Sequence, residues 1–218
     1  MKVISLGGSI IVPDNIDIGF LRGFLELIKG SQGRFIIICG GGKVCRRYQD
    51  AARGIGAPTK DDLDWIGIRS TRLNAELIRS AFGDLAYEKI ILDPYEDIQT
   101  DKKIMIGGGF EPGSSTDLRA VQLASRFGAD EVINMSDIDH VYDKDPKDPD
   151  ASPLDKISFD EFGKLVGDTW DPGLNMPFDP IATREAKGNG LKLRIISKEI
   201  ENLRRVLEGK TFTGTTIY

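Results

Sequence analysis

Gly40-Gly41-Gly42-Lys43 closes an unbroken apolar run, Phe35-Ile36-Ile37-Ile38-Cys39, and Arg46 and Arg47 follow about one helical turn later. Glycines let a backbone turn sharply and approach a ligand closely. N–H groups turning into the start of a helix attract anions, and Lys43, Arg46 and Arg47 add positive charge. The chemistry open to such a group is to cradle a phosphate. The alternative is a tight strand-to-helix turn flanked by solvated basic side chains. A Walker A loop is excluded, because it needs Gly where Ile37 stands and Ser or Thr where Val44 stands. The dinucleotide-binding pattern is excluded as well, because Cys45 takes the place of its last Gly.

Two more glycine-rich stretches have the same design. Gly7-Gly8-Ser9 follows the apolar run Lys2–Leu6. Gly107-Gly108-Gly109-Phe110-Glu111-Pro112-Gly113-Ser114-Ser115-Thr116-Asp117 follows Lys103–Ile106 and is rich in hydroxyls. Thr116 or Asp117 is the expected N-cap of the helix that continues through Leu118, Val121 and Ala124. Asp179-Pro180 reads as an N-cap followed by Pro at the first helical position. The acidic stretch Asp143–Asp155 lacks the central Gly and terminal Glu of a calcium loop.

The elements that must position these residues alternate. Short Ile-rich runs read as strands buried on both faces. Phe20, Leu21, Phe24, Leu25 and Ile28 recur at helical spacing, and Gly30 closes that segment. A long helical pattern spans Asp61–Ala81 and carries Gly67, which implies either close packing or close ligand approach. Further strands are expected at Ile90–Leu92, Glu131–Met135, Lys192–Ile196 and Thr215–Ile217. Ser158-x-x-Glu161 is a capping box before a helix closed by Gly167. Asp168–Met176 reads as a loop, and Ile200–Leu207 as a closing helix. This alternation predicts an α/β fold, an αβα sandwich around a central, mostly parallel sheet, with the glycine turns on one sheet edge.

Composition narrows the function. The chain has 218 residues, 40% hydrophobic and 29% charged, enough for one large domain or two small ones. A net charge of −5 disfavours a nucleic acid polymer as partner, whereas a basic cluster within an acidic chain suits a small anion. Cys39 and Cys45 are the only cysteines and lack metal-type spacing; Cys39 is expected in the core. The chain opens directly into a strand, with no signal-peptide pattern, and no apolar run approaches membrane length. The expectation is a cytoplasmic protein without a membrane partner.

Taken together, the motifs resemble the amino acid kinase family, and within it the archaeal-type uridylate (UMP) kinases. The resemblance runs through Gly7-Gly8-Ser9, Gly40–Lys43 with Arg46, Asp64-x-Ile66-Gly67 with Thr71-x-x-Asn74-Ala75, Pro112-Gly113-x-x-Thr116-Asp117, Asp137–Pro146, Asp179-Pro180-x-Ala182 and Gly214–Ile217. It covers nearly the whole length. It implies a single domain over residues 1–218. A lobe of about 1–110 would mainly bind UMP and carry the phosphate loops, and a lobe of about 111–218 would mainly bind ATP.

The resemblance also implies roles. Gly8 and Ser9 would touch the transferring phosphates; Gly42 and Arg46 would face ATP, and Gly41 would face UMP. Asp64 would hold the UMP ribose hydroxyls. Phe110, Glu111, Pro112, Gly113, Ser114, Ser115 and Thr116 would wrap the nucleotide. Ser136, Asp137, Tyr142 and Asp145 would line the adenosine pocket. Lys43, Asp117 and Asp179 would be catalytic, the two acids lying near the phosphates and Mg²⁺. The implied activity is UMP and ATP to UDP and ADP, in pyrimidine nucleotide biosynthesis, by a homo-hexamer with Trp65 as a candidate contact.

Ser5 stands where many relatives carry Lys, Ser136-Asp137 where Thr-Asn is common, and His140 where Gly is usual. That Gly implies positive φ at His140. The rival readings are another small-molecule kinase of the same fold, with a carboxylate, carbamate or isopentenyl phosphate acceptor, and a non-catalytic nucleotide-binding sensor.

Overall fold

The structure, a computed structural model, describes residues 1–169 and 176–218. The chain runs β1 (Lys2–Leu6), α1 (Gly8–Ile11), α2 (Ile18–Gly30), β2 (Phe35–Cys39), α3 (Gly42–Ile55), α4 (Lys60–Phe82), β3 (Ala86–Ile91) and β4 (Ile104–Gly107). It continues with α5 (Thr116–Arg126), β5 (Glu131–Ser136), β6 (Val141–Tyr142), β7 (Pro153–Leu154), β8 (Lys156–Ile157) and α6 (Phe159–Val166). The last elements are α7 (Pro180–Gly188), β9 (Lys192–Ser197), α8 (Ile200–Leu207) and β10 (Thr215–Ile217). The loop expected over Asp168–Met176 lies, for residues 170–175, outside the described residues.

Eight strands form one sheet in the order β3-β4-β2-β1-β5-β9-β10-β8, parallel except where β10 runs antiparallel to β9. Every residue of β2 is buried, because both faces of the sheet are covered. Val3, Ile36, Ile38 and Val132 pack under α5, α6 and α7. Their strand neighbours Ile4, Ile37 and Ile133 point the other way, under α1, α2, α4 and α8. Period-two alternation thus serves two apolar layers, which is why these strands read as unbroken Ile runs rather than as alternating patterns.

The topology places the site. From β1 the chain moves out to β2 and then to the edge strand β3, fills the gap between them with β4, and returns to lay β5 against the other side of β1. A reversal of this kind opens a crevice at the carboxyl ends of the flanking strands. The loops after β1, β2, β4, β5 and β9 all leave the sheet on that edge.

Local chemistry sets the helix starts. The expected box at Ser158 and Glu161 forms in both directions, and a second, Thr59 with Asp62, starts α4. Asp179 caps α7 with Pro180 at its first position, as expected. The cap of α5 differs: Ser115 Oγ accepts the Leu118 N–H, so Thr116 and Asp117 are already helical. Asp117 is therefore released from capping. Gly67 faces Cys45 and Gln49 of α3, where an added β-carbon would meet both at ordinary contact distance.

Candidate functional site

Two glycine turns interlock at the crevice. Gly40 N donates to Leu6 O at 2.9 Å, and Lys43 N donates to Val12 O at 3.0 Å. The backbones come so close that a β-carbon on Gly8 would stand 2.0 Å from the Gly42 nitrogen. Gly42 also has φ +66°, in the left-handed region that favours glycine. Asn74, buried on α4, donates to Gly40 O at 2.7 Å and Gly41 O at 3.2 Å, fixing the turn from behind. The rigid double turn puts Ser9, Gly41, Gly42 and the start of α3 on one side. Lys43 and Arg47 both reach Asp14, at 3.4 and 2.7 Å, in exposed ion pairs; Arg46 lines the adjoining cleft.

Two acids stand beside the cradle. Ser5 Oγ donates to Asp117 Oδ1 at 2.8 Å, and Asp179 N donates to Asp117 Oδ2 at 3.3 Å. Burial is the main cause that pushes the Asp117 carboxyl up to about 6; the Asp179 charge adds to it, and the two hydrogen bonds oppose it. Asp179 is 4% exposed. Its Oδ1 caps α7 by accepting from Ile181 N and Ala182 N, while its Oδ2 is buried without a hydrogen-bond partner among the described residues. Paired carboxylates with a free buried oxygen are a donor set suited to a hard cation. Among the described residues no cluster of three or more His, Cys, Asp or Glu converges on a metal position.

The loop after β4 is stitched to α4. Gly109 N donates to Thr71 Oγ1 at 2.7 Å, and Arg72 donates to Gly109 O at 3.0 Å and Phe110 O at 2.9 Å. Gly113 N donates to Asp64 Oδ2 at 2.8 Å. Asp64 therefore faces the Pro112-Gly113 turn from across 49 residues of sequence. On the other side Arg119 of α5 meets Phe110, Glu111 and Ser114. Ser115 and Thr116 join this loop to α5.

A cleft of about 230 Å³, with Ile10 and Pro13 in its wall, opens between the first turn and the end of β5. It is lined by Ser9, Arg46, Ser136 and Asp137, all expected, and by Ser197 and Lys198, which carry no local motif. Tyr142 and Asp145 are not among its lining residues. Tyr142 donates to Asp139 at 3.3 Å from the β6-β7 ribbon, and Asp145 accepts Lys147 N at 3.0 Å in an exposed turn. The positive φ expected at His140 is not found: among the described residues only glycines have it. His140 lies between Asp139 and Asp155 instead, with ring nitrogens 3.4 and 3.6 Å from their carboxylates. Cys39 is fully buried, which pushes its thiol pKa up and leaves it unreactive.

The amino acid kinase family model matches residues 1–197. The chain is 37% identical to a uridylate kinase of Thermococcus onnurineus, over 99% of this chain and 98% of that protein. It is equally identical to one of Pyrococcus abyssi, with the same coverage. The crystal structure of uridylate kinase from Archaeoglobus fulgidus superposes with a TM-score of 0.87 at 33% identity, covering 100% of both chains.

Proposed function

This chain belongs to the amino acid kinase family, and from that premise we propose that it is a UMP kinase, transferring the γ-phosphate of ATP to UMP to give UDP and ADP. The observation that carries the reading is the interlocked glycine cradle with the Asp117–Asp179 pair beside it, at the switch point of the sheet. The uridylate kinases that match over nearly their whole length support the choice of acceptor.

Both substrates are polyanions, so the site must gather and align them. Backbone N–H groups of Gly8, Gly41 and Gly42 meet phosphate oxygens, and Lys43 swings from Asp14 to join them. Arg46 and Ser9 hold the donor side of the cleft, with Ser136 and Asp137 toward adenosine; Tyr142 and Asp145, beyond the cleft as it stands, are assigned to the same adenosine side. Asp64 takes the acceptor ribose, and the loop Phe110–Thr116 encloses the nucleotide. The acceptor oxygen is an ionised phosphate, so no general base is required.

Asp117 and Asp179 fit Mg²⁺, on the grounds of the unpartnered buried Oδ2 and the neighbouring carboxylate. With two protein carboxylates, the rest of its shell would be water and phosphate oxygen, the usual manner of Mg²⁺ in kinase sites. When bound, it supplies neutralisation of the phosphate charge.

The proposal extends to organisation. Residues of about 1–110 serve mainly UMP and the phosphate loops, and those of about 111–218 mainly ATP. The enzyme works in pyrimidine nucleotide biosynthesis in the cytoplasm, where both nucleotides are made and used. No described helix is long and apolar enough to cross a membrane. We further propose a homo-hexamer. Ile16 and Ile18 are 48% and 65% exposed beside an apolar groove of about 310 Å³ between α2 and α4, and Trp65 is 42% exposed.

The test is coupled ADP release with UMP, CMP, N-acetylglutamate, carbamate and isopentenyl phosphate as acceptors. The expected preference is for UMP. A clear preference for any other acceptor would replace this reading.

A further inference from the structure

Arg119 is 3% exposed, on the second turn of α5 among the buried Leu118, Ala120 and Val121. Its guanidinium carbon lies 5.0 Å from the centre of the Phe110 ring. Its terminal nitrogens donate to Ser114 Oγ and Gln122 Oε1, each at 2.5 Å. The Glu111 carboxylate stands at 3.6 Å and is itself mostly exposed. Nε is buried without a hydrogen-bond partner among the described residues.

This is a poor arrangement for stability. A buried cation loses its hydration, and well-packed apolar residues in its place are often neutral or stabilising. What Arg119 does achieve is contact with the side chains of three loop residues, Phe110, Glu111 and Ser114. The α4 side of the same loop is held differently: Asp64, Thr71 and Arg72 bond only to its main chain. The loop therefore has its backbone set by α4 and its side chains set by α5.

We propose that Arg119 is a positioning residue for the acceptor nucleotide, holding the Phe110 ring as the surface against which the base packs. Phe110 remains partly exposed, so the ring clamped by the guanidinium still presents area to a ligand. A planar cation stacked on the ring and bonded to Ser114 fixes both at once, which an ammonium point charge does not.

The proposal rests on the UMP reading of this loop. The test is steady-state kinetics on Arg119→Met, Arg119→Lys, Phe110→Leu and the Arg119→Met/Phe110→Leu double variant, varying UMP and ATP separately. Arg119→Met should raise KM for UMP about tenfold, the scale of one desolvated cation–π contact. KM for ATP and the melting temperature should hold, or the latter rise. Arg119→Lys should not restore the affinity for UMP, and it carries the same test if Arg119→Met does not fold. In the Phe110→Leu background the Arg119→Met effect should largely vanish. An unchanged KM for UMP, equal changes in both KM values, rescue by Lys, or full additivity would each overturn the role. Wild-type enzyme that transfers nothing to UMP would instead sink the acceptor reading itself.

Discussion

The hydroxyl of Ser5, buried in the middle of β1, donates to Asp117 Oδ1 across 2.8 Å and so ties the central strand to the first turn of α5. At this point the chain presents a neutral hydroxyl to a carboxylate. Among the described residues no cation offsets the burial of Asp117, which pushes its pKa up to about 6 from the ordinary 3.8.

That shift has a stability consequence with a definite sign. The folded state holds the Asp117 proton more tightly than the unfolded chain does. Stability is therefore full below pH 3.8 and is lost as pH rises to about 6. Asp117→Asn cannot ionise and escapes the loss. In metal-free buffer its stability relative to wild type should improve by up to about 3 kcal/mol between pH 4 and pH 7. Urea melts at the two pH values measure this, and a pH-independent difference would show that Asp117 titrates normally.

Asp179 separates capping from catalysis. Its Oδ1 caps α7, and an Asn at this position keeps an acceptor there. Asp179→Asn should melt near the wild-type temperature yet lose turnover by about a hundredfold, equivalent to roughly 2.7 kcal/mol of transition-state stabilisation. Asp179→Ala should lose about 1 kcal/mol of stability as well. Near-normal turnover in the Asn variant would reduce this acid to a cap.

The cradle predicts a contrast between two glycines. Gly8→Ala drives a β-carbon into the Gly42 nitrogen, so the turns must separate. Activity should fall to background and the melting temperature should drop. Gly54, on α3, has no atom within 4 Å of a β-carbon, and its φ is not positive. Gly54→Ala should leave turnover unchanged and stabilise by about 0.5–1 kcal/mol. Equal tolerance of both substitutions would refute the interlocked turns.

Assembly is read by light scattering. A species of six 24.0 kDa chains is expected. Ile18→Lys, which puts a charge at the rim of the groove between α2 and α4, should reduce that mass. A monomer at micromolar wild-type concentration would exclude the hexamer.

What could be read from sequence and what could not divide along physical lines. Short-range signals were legible: the doubly buried Ile runs, the glycines that end them, the Ser158–Glu161 box and the Asp179-Pro180 start each depend on neighbours in the chain. The cap of α5 was not, because Ser114, Ser115, Thr116 and Asp117 can all cap. Only the settled loop selects Ser115. Ser197 and Lys198 reach the cleft solely because β9 lies next to β5, a fact of sheet order with no local motif. Arg119 sits in no local motif and acquires its partners only when the Phe110 loop folds over it. The bonds from Ser5 to Asp117 and from Gly113 to Asp64 likewise span 112 and 49 residues.

Transfer of a phosphoryl group from ATP to UMP can be followed by phosphorus NMR of the complete reaction. With ATP, Mg²⁺ and UMP, the α- and β-phosphorus signals of UDP should grow in step with those of ADP, with no inorganic phosphate. Omitting UMP should leave ATP intact. ADP appearing with inorganic phosphate, or no ADP at all in the presence of UMP, would contradict it.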